Sequence, residues 1–239
     1  QQTTVNGKKD GVEKPSEIET AIDAFLAQPT ISPDDALVTG YDFLVAQANA
    51  ISDTLASQGI TTIDTLLEEN LTSVQSRDHL FNRPNAYDLN SINAHFEHYR
   101  FFPYDPNDVF ATEVPGIADY SGALVFSVGC HSGLNVPDED SATAQTGTDW
   151  AQAFLRQGAT FIGNTGYGYG DSDLVAYSER LMTNFVQELD YVGDGPQTVG
   201  KALLRAKHRY YNTSAAGSLS NYDEKVMAVM TLYGLPMLE

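Results

Sequence analysis

The chain has 239 residues and carries 13 lysines and arginines against 32 aspartates and glutamates, a formal charge of −19. That length supports one α/β domain or two small ones, and the charge argues against nucleic acid or an anionic membrane as partner, since either would be repelled. The lone cysteine allows no internal disulfide, no apolar run approaches the ~18 residues of a membrane span, and the acid excess suits a secreted or cell-surface protein that attracts cations such as calcium.

Residues 1–14 are polar and aperiodic and read as a flexible N-terminal arm ahead of one domain over 15–239. Ser16 is placed to cap a helix with Ile18, Ile22, Phe25 and Leu26 on one face, ending near Gln28 before Pro29. Ala36–Gly40 predicts a short buried strand, Phe43–Ser57 a helix closed by Gly59, and Ile60–Leu66 a second strand. Asn70 or Thr72 caps a helix reaching Phe81, and Asp88–Ala94 alternates weakly as a strand that runs into His95-Phe-Glu-His98. Phe101–Ser121 holds three prolines and several acids and reads as a surface excursion with a short helix.

The stretch Leu124-Val-Phe-Ser-Val128 predicts a buried strand that ends at Gly129, directly before Cys130-His-Ser-Gly133. Leu134–Gly147 reads as a polar loop, Asp149–Arg156 as a helix stopped by Gly158, and Ala159–Gly163 as a strand. That strand enters the glycine-rich run Gly163-Asn-Thr-Gly166-Tyr-Gly168-Tyr-Gly170. Helices are expected over Asp171–Asp190, Thr198–Asn212 and Tyr222–Tyr233. Strands alternating with helices predict a three-layer α/β/α sandwich with a mostly parallel sheet, whose ligands sit beyond the carboxyl ends of the strands.

Three candidate sites fall at such ends: His95, Cys130 and the glycine-rich loop. A thiol there acts as a nucleophile if a base lowers its pKa, and His95, coming off the preceding core strand, is the candidate base. His98 lies further out and would line a pocket. His131 either helps to hold a thiolate or faces solvent. Gly129 and Gly133 bracket the cysteine and let the chain turn and expose N–H groups, so the Cys130 and Phe96 amides are the candidate oxyanion donors. Tyr167 and Tyr169 would line a peptide groove. Asp171 and Asp173 are either weak calcium ligands or acids of a helix start. The glycine pattern resembles a phosphate-binding turn but lacks the dinucleotide spacing.

The pieces Leu37-Val-Thr-Gly-Tyr-Asp42, Ser91-Ile-Asn-Ala-His95-Phe-Glu-His98, Val125-Phe-Ser-Val-Gly-Cys130-His-Ser-Gly, Gly158-Ala-Thr-Phe-Ile-Gly-Asn-Thr-Gly166 and Thr231-Leu-Tyr-Gly234-Leu-Pro236 occur in the order of a known pattern. Together they resemble the gingipain-type cysteine peptidases of the caspase-like superfamily (clan CD). The resemblance implies a caspase-like domain and a cysteine endopeptidase with Cys130 as nucleophile and His95 as general base. It implies a polypeptide substrate, no required cofactor, and selectivity for the residue before the scissile bond, with Arg or Lys favoured. Asp42, with Asp53 behind it, is the candidate acid of that pocket, and the chain is expected to be part of a longer product. Two departures stand out: the family has Gly after its histidine where this chain has Phe96, and the close reads Gly234-Leu-Pro236 where the family tends to Gly-Asp-Pro. A Phe96 side chain is expected to narrow the approach to the oxyanion position or to force another backbone path. The alternatives are a catalytically weakened caspase-like binding or regulatory module, which Phe96 would mark, and a nucleotide-binding domain using the glycine-rich loop.

Overall fold

A computed structural model describes residues 19, 22–23, 25–137, 146–191, 193, 195–214 and 219–239. The expected arm over residues 1–14, and the middle of the expected loop after Leu134, lie outside the described residues. Six strands form one sheet in the order β2-β1-β3-β7-β8-β9: β1 Asp35–Gly40, β2 Thr62–Leu67, β3 Leu89–Ser91, β7 Leu124–Phe126, β8 Thr160–Asn164 and β9 Met230–Tyr233. Every neighbouring pair is parallel except β8–β9. The expected α/β architecture with a mostly parallel sheet is therefore the one observed.

The central strands are buried on both sides, which is why they read as unbroken apolar runs. Their side chains alternate between two cores. Val38, Leu124 and Phe126 face the helices α1 (Val45–Ser57), α4 (Tyr177–Leu189), α5 (Val199–Thr213) and α6 (Asn221–Val229), meeting Ile51, Leu55, Leu181, Phe185 and Ala202. Leu37, Val125 and Phe161 face the other way, onto α2 (Ser73–Leu80) and α3 (Trp150–Arg156), with Trp150 and Phe154 prominent. Caps locate the helix starts: Thr72 accepts from the Gln75 amide at 3.2 Å, and Asp149 from the Gln152 amide at 2.8 Å.

Four expectations are corrected. Phe101–Ser121 is no surface excursion: β4 (His95–Glu97), β5 (Arg100–Phe102) and β6 (Val109–Phe110) form a second, antiparallel sheet, and Phe101, Val109, Ala111, Val114 and Tyr120 are buried. Prolines and acids mark its turns, while its strands of two and three residues are too short for a periodic signal. Tyr222–Tyr233 splits into α6 and β9, because the open edge of β8 offers unpaired backbone groups that Met230–Tyr233 satisfy. The helix expected from Asp171 starts six residues later, at Tyr177. The Asp171 carboxylate accepts the amides of Asp173 and Leu174 at 2.9 and 3.2 Å, a local turn that competes with a helix. Finally, of the apolar face expected on the first helix, Phe25 packs on the core while Ile22 and Leu26 are exposed.

Candidate active site

A buried polar stripe crosses the carboxyl ends of four adjacent strands. The Asn93 side chain donates to the Thr39 carbonyl at 3.1 Å and to Ser91 Oγ at 2.8 Å, and accepts the Val128 amide at 3.3 Å. The Val128 carbonyl in turn accepts from Asn164 Nδ2 at 2.8 Å. Thr39, Asn93 and Asn164 are fully buried, so these bonds are made away from competing water, where losing one is costly. The sign of this stripe along the sequence is an amide side chain at the end of an apolar strand.

Cys130 stands on the turn that this stripe supports. Gly129 donates to Ser127 Oγ, Ser132 Oγ donates to the Gly129 carbonyl, and the Gly133 amide reaches the Asn164 carbonyl at 2.9 Å. Cys130 is half-buried, and its thiol lies 3.7 Å from the Gly168 carbonyl, a sulfur hydrogen bond. Its own amide has no acceptor among the described residues, so an N–H is available at the nucleophile position. His131 follows at φ 58°, donates its amide to the Gly166 carbonyl at 2.7 Å, and sets its ring edge-on to Tyr167.

His95 is not the last residue of the core strand but the first of β4, four residues beyond β3. Its ring packs edge-on against Tyr41 and Phe43, and Nε2 lies 3.3 Å from Asp42 Oδ2. With the proton on Nε2 toward the carboxylate, Nδ1 is left as the basic nitrogen. Asp42, the candidate acid of the substrate pocket, lies against His95. It sits at φ 58°, a left-handed conformation that aspartate tolerates better than most residues. No third member beside His95 and Cys130 was evident in the sequence, because contact across 53 positions leaves no local pattern.

His98 is placed close enough to His131 for their charges to interact. Burial lowers its pKa, the neighbouring His131 lowers it further, and Glu97 opposes both, so the ring is favoured neutral. The Phe96 ring is buried, stacked on Phe101 and edge-on to Trp150, and packs against Gly129. A Cβ on Gly129 would come within 2.4 Å of that ring, so the small residue before Cys130 and the large one after His95 form a single packing contact. Asp171 and Asp173 sit in the segment ahead of α4 and not in a helix start. Among the described residues no group of three His, Cys, Asp or Glu side chains is placed to hold a metal ion. None of the described helices is long and apolar enough to cross a membrane.

No family model matches the sequence, and no curated protein does. Solved structures do match. The crystal structure of the Arg-specific cysteine proteinase gingipain R superposes with a TM-score of 0.72 at 16% identity, covering 95% of this chain and 53% of that one. The complex of the RgpB pro- and mature domains from Porphyromonas gingivalis superposes with a TM-score of 0.68 at 17% identity, covering 95% and 54%. The chain thus spans about half the length of these neighbours. At such identities the likeness speaks for the backbone, and its six-stranded, mostly parallel sheet between helical and mixed layers is the caspase-like fold of gingipain.

Proposed function

We propose that this domain is a cysteine endopeptidase in which Cys130 is the nucleophile and His95 the general base. The observation that carries the reading is the joining of the two segments at adjacent strand ends: Asn93, two residues before His95, accepts the Val128 amide, two residues before Cys130. In the reaction, His95 Nδ1 takes the thiol proton and Sγ attacks the peptide carbonyl carbon. The oxyanion is met by the Cys130 amide, with the Phe96 amide as second donor. His95 then protonates the leaving amine, and water, deprotonated by the same ring, hydrolyses the thioester. Asp42 holds the Nε2 proton and so keeps Nδ1 free throughout.

Arg or Lys before the scissile bond is the proposed preference, supported by the likeness to a proteinase described as Arg-specific. His98, His131 and Tyr167 are the proposed walls of the substrate groove. Cys130→Ala is expected to abolish both peptide cleavage and labelling by an acyloxymethyl ketone probe; an Ala variant that still cleaves sinks the reading. Fluorogenic peptides differing only in the residue before the cleavage point test the preference. One contact favours a second reading, a binding module with a resting thiol: the Cys130 Sγ bond to the Gly168 carbonyl. An unlabelled Cys130 in an intact fold would select it.

A further inference from the structure

The segment Thr165 to Ala176, between β8 and α4, touches both halves of the site. The Gly168 carbonyl accepts the Cys130 thiol, and an added Cβ on Gly168 would come within 2.0 Å of the Val128 oxygen, so the chain here lies flat on the strand end that carries the cysteine. Two residues on, Gly170 lies against the Phe43 ring, the same ring that backs His95. Tyr169 packs on the core and edge-on to Tyr222, and Tyr167 lies edge-on to His131, while Tyr167 and Leu174 are 63% and 68% exposed. Besides these rings and the contacts at its base, where Thr165 and Gly166 bond Val229 and His131, the segment is fastened at its far end. There Tyr169 and Ser178 exchange two hydrogen bonds, and the amides of Asp171 and Ala176 both donate to one carboxylate oxygen of Glu179, at 3.0 and 3.3 Å.

We propose that residues 165–176 are a strap closed over the site and that Glu179 is the positioning residue that fastens it. Glu179 is fully buried, and its second oxygen, Oε1, has no hydrogen-bond partner among the described residues. A carboxylate is an expensive group to bury half-satisfied, so a role confined to capping α4 would not require it. Burial pushes its pKa up to about 7 against the two amide bonds, with Asp171 the one titratable group that interacts with it. The hinge is at Tyr177, whose φ of 50° is a conformation that a bulky residue adopts only under constraint. While closed, the strap keeps the dipole of the Gly168 carbonyl on the Cys130 thiol, so the proton that a base must take is engaged in a hydrogen bond. Opening it withdraws that dipole and also releases Phe43 from Gly170. The strap restrains the nucleophile until a substrate displaces it.

The inference rests on the peptidase reading for its meaning, but not for its test. Glu179→Ala and Glu179→Gln are compared with wild type at one fixed pH below about 7, where the wild-type carboxyl is uncharged like the Gln amide, with circular dichroism as the check on folding. Amide hydrogen exchange reads the strap, and iodoacetamide labelling reads Cys130. Glu179→Ala is expected to speed exchange over 165–176 and labelling of Cys130 by about fivefold, the factor that follows from losing one set of buried acceptors. Glu179→Gln retains an acceptor oxygen and is expected to match wild type in both. Wild-type exchange in a folded Ala variant, or equal effects of Ala and Gln, overturns the proposal. If the Ala variant does not fold, Gly168→Ala decides: its Cβ must lift the strap from Val128, so labelling rises, and an unchanged rate overturns the proposal. Should Cys130 resist labelling in every variant, the peptidase reading fails while hydrogen exchange still judges the strap.

Discussion

Cys130 and His95 are held in opposite ways. The cysteine sits on a turn whose Gly129, Ser132 and Gly133 bond Ser127 Oγ, the Gly129 carbonyl and the Asn164 carbonyl, all buried at the centre of the sheet. The histidine is 44% exposed and is held by two aromatic edges and one carboxylate that is itself 60% exposed. The bonds beneath the cysteine are satisfied away from water, so disturbing them costs stability. Those around the histidine are solvent-screened, so disturbing them costs orientation and little else.

The largest effect expected on the cysteine side comes from Phe96. Phe96→Ala removes a buried ring stacked on Phe101 and Trp150 and is expected to cost about 4 kcal/mol in denaturant unfolding. It should leave Cys130 labelling no faster, since the ring is turned onto Phe101 and Trp150; faster labelling would mean that the ring also shields the thiol. Asn93→Ala strips three hydrogen bonds from the stripe and leaves the Val128 amide unpaired, for about 3 kcal/mol by the same measurement. A loss below 1 kcal/mol would mean that the stripe is not what fixes the turn.

A pH series separates Glu179 from both. Its folded pKa, about 7, lies above the ordinary carboxyl value. Protonated Glu179 therefore favours the folded state: that stability is complete below the ordinary value and is lost as pH rises through about 7. The loss is about 3 kcal/mol, and wild type minus Glu179→Gln, unfolded in parallel across this range, isolates it from the repulsion common to both chains. Parallel curves would contradict the assignment. The smallest change in stability belongs to the histidine side. Asp42→Asn is expected to alter unfolding by no more than about 0.5 kcal/mol, yet to slow peptide cleavage about tenfold through a misplaced His95 proton. A stability loss as large as that of Asn93→Ala would erase the contrast between the two halves.

Much of this architecture was legible along the chain. The strand before Cys130 showed itself because a strand buried on both faces has no choice but to be apolar, and Gly59 and Gly158 closed their helices where left-handed backbone was needed, at φ 93° and 82°. The small sheet of β4, β5 and β6 was hidden, since strands of two or three residues carry too few positions for a period to emerge. β9 was hidden for another reason: Met230–Tyr233 continues a helical pattern locally, and only the vacant edge of β8 makes extended backbone the better solution.

By itself, the sequence determined the alternation of strands and helices, the double burial of the central sheet, and the placing of one thiol and one imidazole near strand ends, all of which follow from periodicity and local backbone preference. The tertiary structure alone decided what those groups meet. It set Asp42 against His95, packed the Phe96 ring against Gly129, and laid the Gly168 carbonyl on Cys130. Each of these joins residues 33 to 53 positions apart, where the outcome depends on how separate elements pack and no local pattern records it.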